Sequence, residues 1–192
     1  MKKVLIIGAS GNIAGKVIDI LANEKDIKQI LFLRKKSRLR NPNILNATIV
    51  EGDVMNFEQL KSAVEGQDIV YVNLSGDLEA MVKNIVKAMS ETSVKKIIFI
   101  SSIEIYDVPL KPILKPYRKA ADVIEASDLE YTILRPAWFT NTDEVNYEVT
   151  MKGEPEKGSV ISQKSLATFI TKIIESPEQY IRNNLGINKP NS

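Results

Sequence analysis

A chain of 192 residues fits one domain and leaves no room for a second full one, at roughly 100 to 200 residues per domain. Its 44% hydrophobic and 26% charged residues match a folded globular chain, and a net charge of +2, from 26 basic and 24 acidic side chains, is too small to point to nucleic acid. Cysteine and histidine are both absent, which excludes disulfides, thiolate and imidazole metal sites, Ser-His-Asp triads and histidine bases; catalysis would rest on Ser, Tyr, Lys, carboxylates or a cofactor.

The first apolar run, residues 4–7, reads as a strand. It is too short for the core of a signal peptide, being cut by Gly8, Ser10, Gly11 and Asn12. No stretch approaches the roughly 18 apolar residues of a membrane span, so a soluble, cytoplasmic protein without a membrane partner is expected. The turn Gly8-Ala9-Ser10-Gly11-Asn12-Ile13-Ala14-Gly15 then leads into a helix carrying Val17, Ile20 and Leu21. Residues 30–33 form the second strand, followed by the basic run Arg34, Lys35, Lys36 and Arg38; residues 47–50 form the third, followed by Glu51-Gly52-Asp53-Val54. After a fourth strand at 69–74, Leu78, Met81, Val82, Ile85, Val86 and Met89 repeat at helical spacing and mark one buried face. Strands at 97–100 and 131–134 complete a set of six. Beyond Pro136 the pattern loosens into a short strand within 145–151, a turn-rich loop at 153–158, a last helix at 164–175 and a polar ending, residues 188–192, expected to fray.

Short apolar runs alternating with helical segments are the mark of a parallel α/β sheet, and continuously apolar strands are those covered on both faces. Right-handed crossovers favour a doubly wound sheet of order 3-2-1-4-5-6 with ligands outside the carboxyl ends of the strands. The expectation is one domain, residues 1–192, in which 137–192 supplies mainly a substrate-side cap and the last helix.

The strand, Gly-rich turn and helix at the start of the chain are the context of a dinucleotide motif. Gly8 would make the tight turn, Gly11 would admit a pyrophosphate, Ala14 or Gly15 would let the helix pack closely, and the N–H groups at the helix start, from Asn12 and Ile13 onward, would face the phosphates. A plain turn that needs glycine is the alternative. Where an acid after the second strand would accept a ribose hydroxyl and favour NAD, this chain has Arg34 within a basic run, so an anion is expected there and NADP is favoured. A solvated basic loop is the competing reading.

Gly8-Ala9-Ser10-Gly11-x-x-Ala14, Glu51-Gly52-Asp53-Val54, Ser101-Ser102 and Tyr131-Thr132-Ile133-Leu134-Arg135-Pro136 together resemble the short-chain dehydrogenase/reductase superfamily, in its atypical branch of NmrA-like and biliverdin/flavin-reductase-like proteins. The resemblance spans nearly the whole chain. It implies an NAD(P)-binding Rossmann fold in which Asp53, with Val54 beside it, meets the adenine amino group. It further implies that Asn73, Leu74, Ser75 and Gly76 line the adenosine half. Ser101 and Ser102 would stand where members hold the nicotinamide ribose or substrate carbonyl, and Pro136, with Trp138 and Phe139, would border the nicotinamide and substrate.

Catalytic members carry Tyr and Lys as Y-x-x-x-K, whereas here Tyr117 and Lys119 are two residues apart, nearly opposite on a helix. They are not expected to form a proton-transferring pair. Ser102 and Tyr106 are the remaining catalytic candidates, with core packing as the alternative for Tyr106. Three functions compete: a small NADPH-dependent reductase passing a hydride to a flat aromatic acceptor such as a flavin, quinone or tetrapyrrole, or to a carbonyl, as a monomer or homodimer; a non-catalytic NAD(P) sensor, favoured by the missing dyad; and a sugar-nucleotide epimerase or dehydratase, disfavoured by the missing dyad and by the short C-terminal region.

Overall fold

The structure, a computed structural model, describes residues 1–40 and 44–192. Its elements in chain order are β1 (Lys2–Ile7), α1 (Asn12–Leu21), β2 (Ile27–Leu33), β3 (Ala47–Glu51), α2 (Phe57–Val64), β4 (Ile69–Val72), α3 (Leu78–Glu91), β5 (Lys96–Ile100), α4 (Lys115–Glu125), β6 (Glu130–Pro136), β7 (Trp138–Thr140), β8 (Glu148–Met151), β9 (Val160–Ser162), α5 (Gln163–Glu175) and β10 (Asn183–Asn188). The main sheet has eight strands in the order β3-β2-β1-β4-β5-β6-β10-β8, parallel except for the β10–β8 pair.

Alternation along each strand builds two cores. Val4 and Ile6 of β1 join α1 and α5 on one face, while Leu5 and Ile7 join α2, α3 and α4 on the other. The helical face expected from Leu78, Val82, Ile85 and Met89 is buried as read, with Met81 and Val86 partly covered. Helices α2, α3 and α5 begin on side-chain caps from Asn56, Asp77 and Ser162. Helix α1 begins at Gly11 without one.

The expected order of the first six strands is present, but the sheet does not stop there. Residues 183–188, not read as a strand, form β10 beside β6, with Asn184↔Ile133 and Leu185↔Leu134 in register. Nor does the ending fray: Asn188 is buried, Lys189 N–H donates to Val160 O at 2.7 Å, and Ser192 Oγ accepts from Ser159 N at 3.1 Å. The missed signal is physical. Asn184, Gly186 and Asn188 break the apolar pattern because that face of β10 lies against polar neighbours. No helix among the described residues is long and apolar enough to cross a membrane.

Among the described residues five buried side-chain atoms lack a hydrogen-bond partner: Gln29 Oε1, Gln67 Oε1, the Tyr71 hydroxyl, Arg135 Nη2 and Thr150 Oγ1. Tyr71 of β4 is fully buried and its hydroxyl has no hydrogen-bond partner; burial alone pushes its pKa far above the ordinary phenol value. An orphaned buried hydroxyl costs desolvation with nothing in return. Tyr71→Phe should therefore stabilise the fold by about 1 kcal/mol, read as a higher urea midpoint at unchanged m value; a lower midpoint would mean that the hydroxyl has a partner.

Candidate functional site

The turn between β1 and α1 lies against the end of β4. Gly8 has φ +83°, and a Cβ there would stand 2.1 Å from Asn73 O, so both backbone conformation and space require glycine. A Cβ at Gly11 would meet Asn73 Nδ2 at 2.9 Å and Gly8 O at 3.3 Å. Gly11 N–H donates to Gly8 O at 2.9 Å, which tightens the turn. The first N–H groups of α1, from Asn12 and Ile13, receive no capping side chain and sit where an anion is favoured by the helix dipole. Ile13 itself points its side chain into the core, while Asn12 is exposed and its Oδ1 accepts from Arg40 Nη2 at 2.5 Å. Ala14, not Gly15, makes the close contact of the helix: it is fully buried, whereas a Cβ on Gly15 would meet only Arg40 Cδ at 3.6 Å.

A pocket of about 180 Å³ joins this turn to the ends of β2, β3 and β4. It brings together Gly8, Ser10, Gly11, Arg34, Asp53, Val54, Asn73, Leu74 and Ser75, all expected there from the sequence. Gly76 lies outside its lining and serves the approach to α3, with φ +109°. Phe32, Gly52 and Met81 also line it and were not foreseen; Gly52 is required because a Cβ would press to 2.6 Å from the Phe32 ring. Asp53 is not a helix cap, since Asn56 holds that place; its Oδ1 accepts from Met55 N at 2.9 Å and fixes the turn. Among the described residues, Arg34, Lys35, Lys36 and Arg38 have no carboxylate within 4.0 Å. The nearby Glu51 carboxylate instead accepts the Lys36 backbone N–H at 2.6 Å, leaving the cationic side chains free for an anion.

Past the ends of β5 and β6 a second pocket of about 180 Å³ is lined by Ser101, Ser102, Ile103, Ile113, Leu114, Tyr117, Pro136, Ala137, Trp138 and Phe139. Ser101, Ser102 and Pro136 thus line one pocket together. Tyr106 does not line it. It faces the opposite side of its loop, over a separate polar pocket with Glu104, Arg135, Lys152 and Glu156. The correction has a simple cause: the loop reverses at Glu104, which takes φ +65°, so side chains two residues apart no longer share a side. Tyr117, not among the candidate site residues, lines this pocket as well; the spacing of Ile113 and Tyr117, one helical turn, was the available signal. Lys119 points away and pairs with Glu79 at 2.8 Å, so Tyr117 and Lys119 stand apart as their spacing implies. The position four residues after Tyr117 is Ala121, fully buried.

The cluster around Tyr106 is electrostatically dense. Burial pushes the Tyr106 phenol above its ordinary value, only partly offset by Lys152, which makes it a poorer proton donor. Burial also pushes Glu125 up, but hydrogen bonds from Lys152 and Asn184 outweigh it and hold that carboxyl below the usual range. Glu156 goes the other way, raised by burial that Arg135 does not fully offset.

Residues 8–177 match the model of a family described as NAD(P)H-binding. The chain belongs to that NAD(P)H-binding family. A solved Rossmann-fold NAD(P)-binding family protein from Shigella flexneri is 49% identical, with a TM-score of 0.94 over 100% of this chain and 95% of that one. A short-chain dehydrogenase/reductase from Veillonella parvula, solved in complex with NADP, is 27% identical with a TM-score of 0.91 over 99% and 95%. A Bacillus subtilis protein described as an uncharacterized sugar epimerase, YhfK, is 26% identical over 85% of this chain and 79% of its own length. An isoflavone reductase homologue of Nicotiana tabacum is also 26% identical over 91% of this chain, which spans only 64% of that longer relative.

The free N–H groups of α1 and the glycine cradle against Asn73 fit the pyrophosphate that this family binds. Gly11→Val places methyl groups where Gly8 O, Asn73 and the phosphates converge, so the folded variant should lose NAD(P)H binding; unchanged affinity by calorimetry would move the cofactor elsewhere.

Proposed function

We propose that this family member is a small NADPH-dependent reductase, cytoplasmic and NmrA-like in type, that passes a hydride to a flat aromatic acceptor such as a flavin or quinone, or to a carbonyl. The observation that carries the reading is the acceptor pocket: Ser101 and Ser102 stand at the strand end beside an apolar wall on which Trp138 is 54% and Phe139 48% exposed. Aromatic faces left open beside the carboxyl ends of the strands offer a stacking platform. The nicotinamide, when bound, supplies the hydride. Ser102 and Tyr117 would then contact the acceptor's polar edge, and Pro136 and Ala137 would back the ring. With Ala121 where an activating lysine would stand, Tyr117 lacks the cation that lowers a phenol pKa, so solvent reaching the open pocket supplies the proton. The Veillonella complex with NADP and the plant reductase homologue support the cofactor and the reaction class.

The absence of that lysine favours a second reading, a non-catalytic NAD(P) sensor. A screen of NADPH oxidation against flavins, quinones and simple carbonyls separates the two: turnover with any of them establishes the reductase, and tight NADPH binding without turnover establishes the sensor.

Arg34 decides the cofactor. Each charge-assisted contact to a 2′-phosphate contributes about 1.5 to 3 kcal/mol, or roughly ten- to a hundredfold in affinity. Arg34→Ala should therefore weaken NADPH by that factor while NADH is little changed, and equal losses in parallel titrations would remove the preference. Trp138→Ala should raise the KM of an aromatic acceptor by roughly tenfold with NADPH affinity retained; an unaltered KM would mean that the acceptor does not use the platform.

A further inference from the structure

The wall of the acceptor pocket is held from behind. Leaving β5, Ser101 N–H donates to Leu134 O at 2.7 Å and Ile103 N–H to Pro136 O at 3.0 Å, which ties the pocket-lining stretch to β6. Glu104 then takes its left-handed φ of +65°, costly for a residue with a side chain. Its N–H donates to Glu156 Oε2 at 3.2 Å. From Glu156 the contacts run in a ring back to the same loop. Arg135 Nη1 donates to the other Glu156 oxygen. Arg135 Nε donates to Asn184 Oδ1 at 2.9 Å, and Asn184 Nδ2 donates to the Tyr106 hydroxyl at 2.7 Å. Tyr106 donates in turn to Glu125 Oε1 at 3.3 Å, which Lys152 Nζ also contacts at 2.8 Å.

The ring therefore grips the loop at Glu104 and Tyr106, immediately after Ser101, Ser102 and Ile103. Strands β6 and β10 do not need it, because they are already paired by backbone register along five positions from Asn183↔Thr132 to Ile187↔Pro136. What depends on the ring is the position of the loop. Arg135 is 4% exposed and sits within 5.5 Å of the Tyr106 ring, so neither can shift without breaking the ring.

We infer that Tyr106 is a positioning residue of the acceptor site: through Asn184, Arg135 and Glu156 it holds the 101–107 loop where that loop sets the gap between Ser102 and the Trp138–Phe139 platform. The kinetic consequence rests on the reductase reading; the geometric one does not. Tyr106 touches no pocket wall that the acceptor would use, and burial makes its phenol a weak acid, so it acts through Ser102 and Ile103 and not on the acceptor.

The chain contains a single tryptophan, Trp138, which reports on the pocket directly. Tyr106→Phe keeps the ring and its packing and removes only the hydroxyl. The expected result is greater acrylamide quenching of Trp138 at unchanged Tm and NADPH Kd. The KM for menadione should rise about two- to tenfold, the worth of one net hydrogen bond, at nearly constant kcat. Glu156→Gln, which retains an oxygen for the Glu104 N–H, should show a smaller change of the same kind. Unchanged Trp138 quenching in Tyr106→Phe overturns the inference. So does a parallel fall in Tm and NADPH affinity, which marks a general structural role, or a loss of kcat of about a hundredfold or more at constant KM, which marks a proton donor. If the wild-type chain turns over no acceptor, the reductase reading fails by itself, and the quenching comparison still decides whether Tyr106 positions the loop.

Discussion

The approach of the β1–α1 turn to the end of β4 is the constraint on which the remainder of the molecule is arranged. Gly8 and Asn73 directly follow the neighbouring parallel strands β1 and β4, and a side-chain carbon at Gly8 would stand 2.1 Å from the Asn73 carbonyl oxygen. That contact opens a crevice at the place where the strand order reverses, with β2 and β3 on one side of β1 and β4 to β6 on the other. It also aims the uncapped start of α1 into the crevice. Helices α2, α3 and α5 spend a side chain on their first N–H groups, while α1 leaves them for a ligand.

A second arrangement governs the other end of the crevice. The irregular stretch after β5 must be fixed there against the end of β6. Backbone hydrogen bonds from Ser101 and Ile103 to Leu134 and Pro136 join them on the pocket side, and the Glu156–Arg135–Asn184–Tyr106 ring joins them on the far side. A buried arginine is tolerable in such a place only when its charge is matched, and Glu156 supplies the match. The polar face of β10 is the price of this arrangement: Asn184 and Asn188 are buried against polar partners, with Asn184 donating to Glu125 at the end of α4 and Asn188 to Glu148 of β8, both at 2.9 Å. The same polar face hid β10 from pattern reading.

The two halves of the site follow different physical rules. The cofactor half is made of backbone and glycine, whose requirements are local, so a short motif in a strand-turn-helix context carries most of the information. Nine of the residues read as cofactor contacts line one pocket for this reason, and Gly76, next to the lining residue Ser75, lies just outside it. The acceptor half is made of side chains from three separate segments, brought together by the reversal at Glu104 and the helical turn from Ile113 to Tyr117. That Tyr106 falls outside this pocket was not legible, because no local pattern encodes the reversal at Glu104.

The sequence by itself determined the α/β class, the order of the first six strands, the glycine-rich turn between β1 and α1 and the separation of Tyr117 from Lys119. Each follows from periodicity or from glycine, both of which act over a few residues. Only the tertiary structure decided that residues 183–188 extend the sheet, that the chain's ending is pinned, and that Tyr117 lines the pocket of Ser101, Ser102 and Trp138 while Tyr106 lies over a separate one. Those outcomes depend on partners far away in the chain, Asn184 for Tyr106 and Val160 for Lys189, and a contact between distant residues leaves no spacing to read.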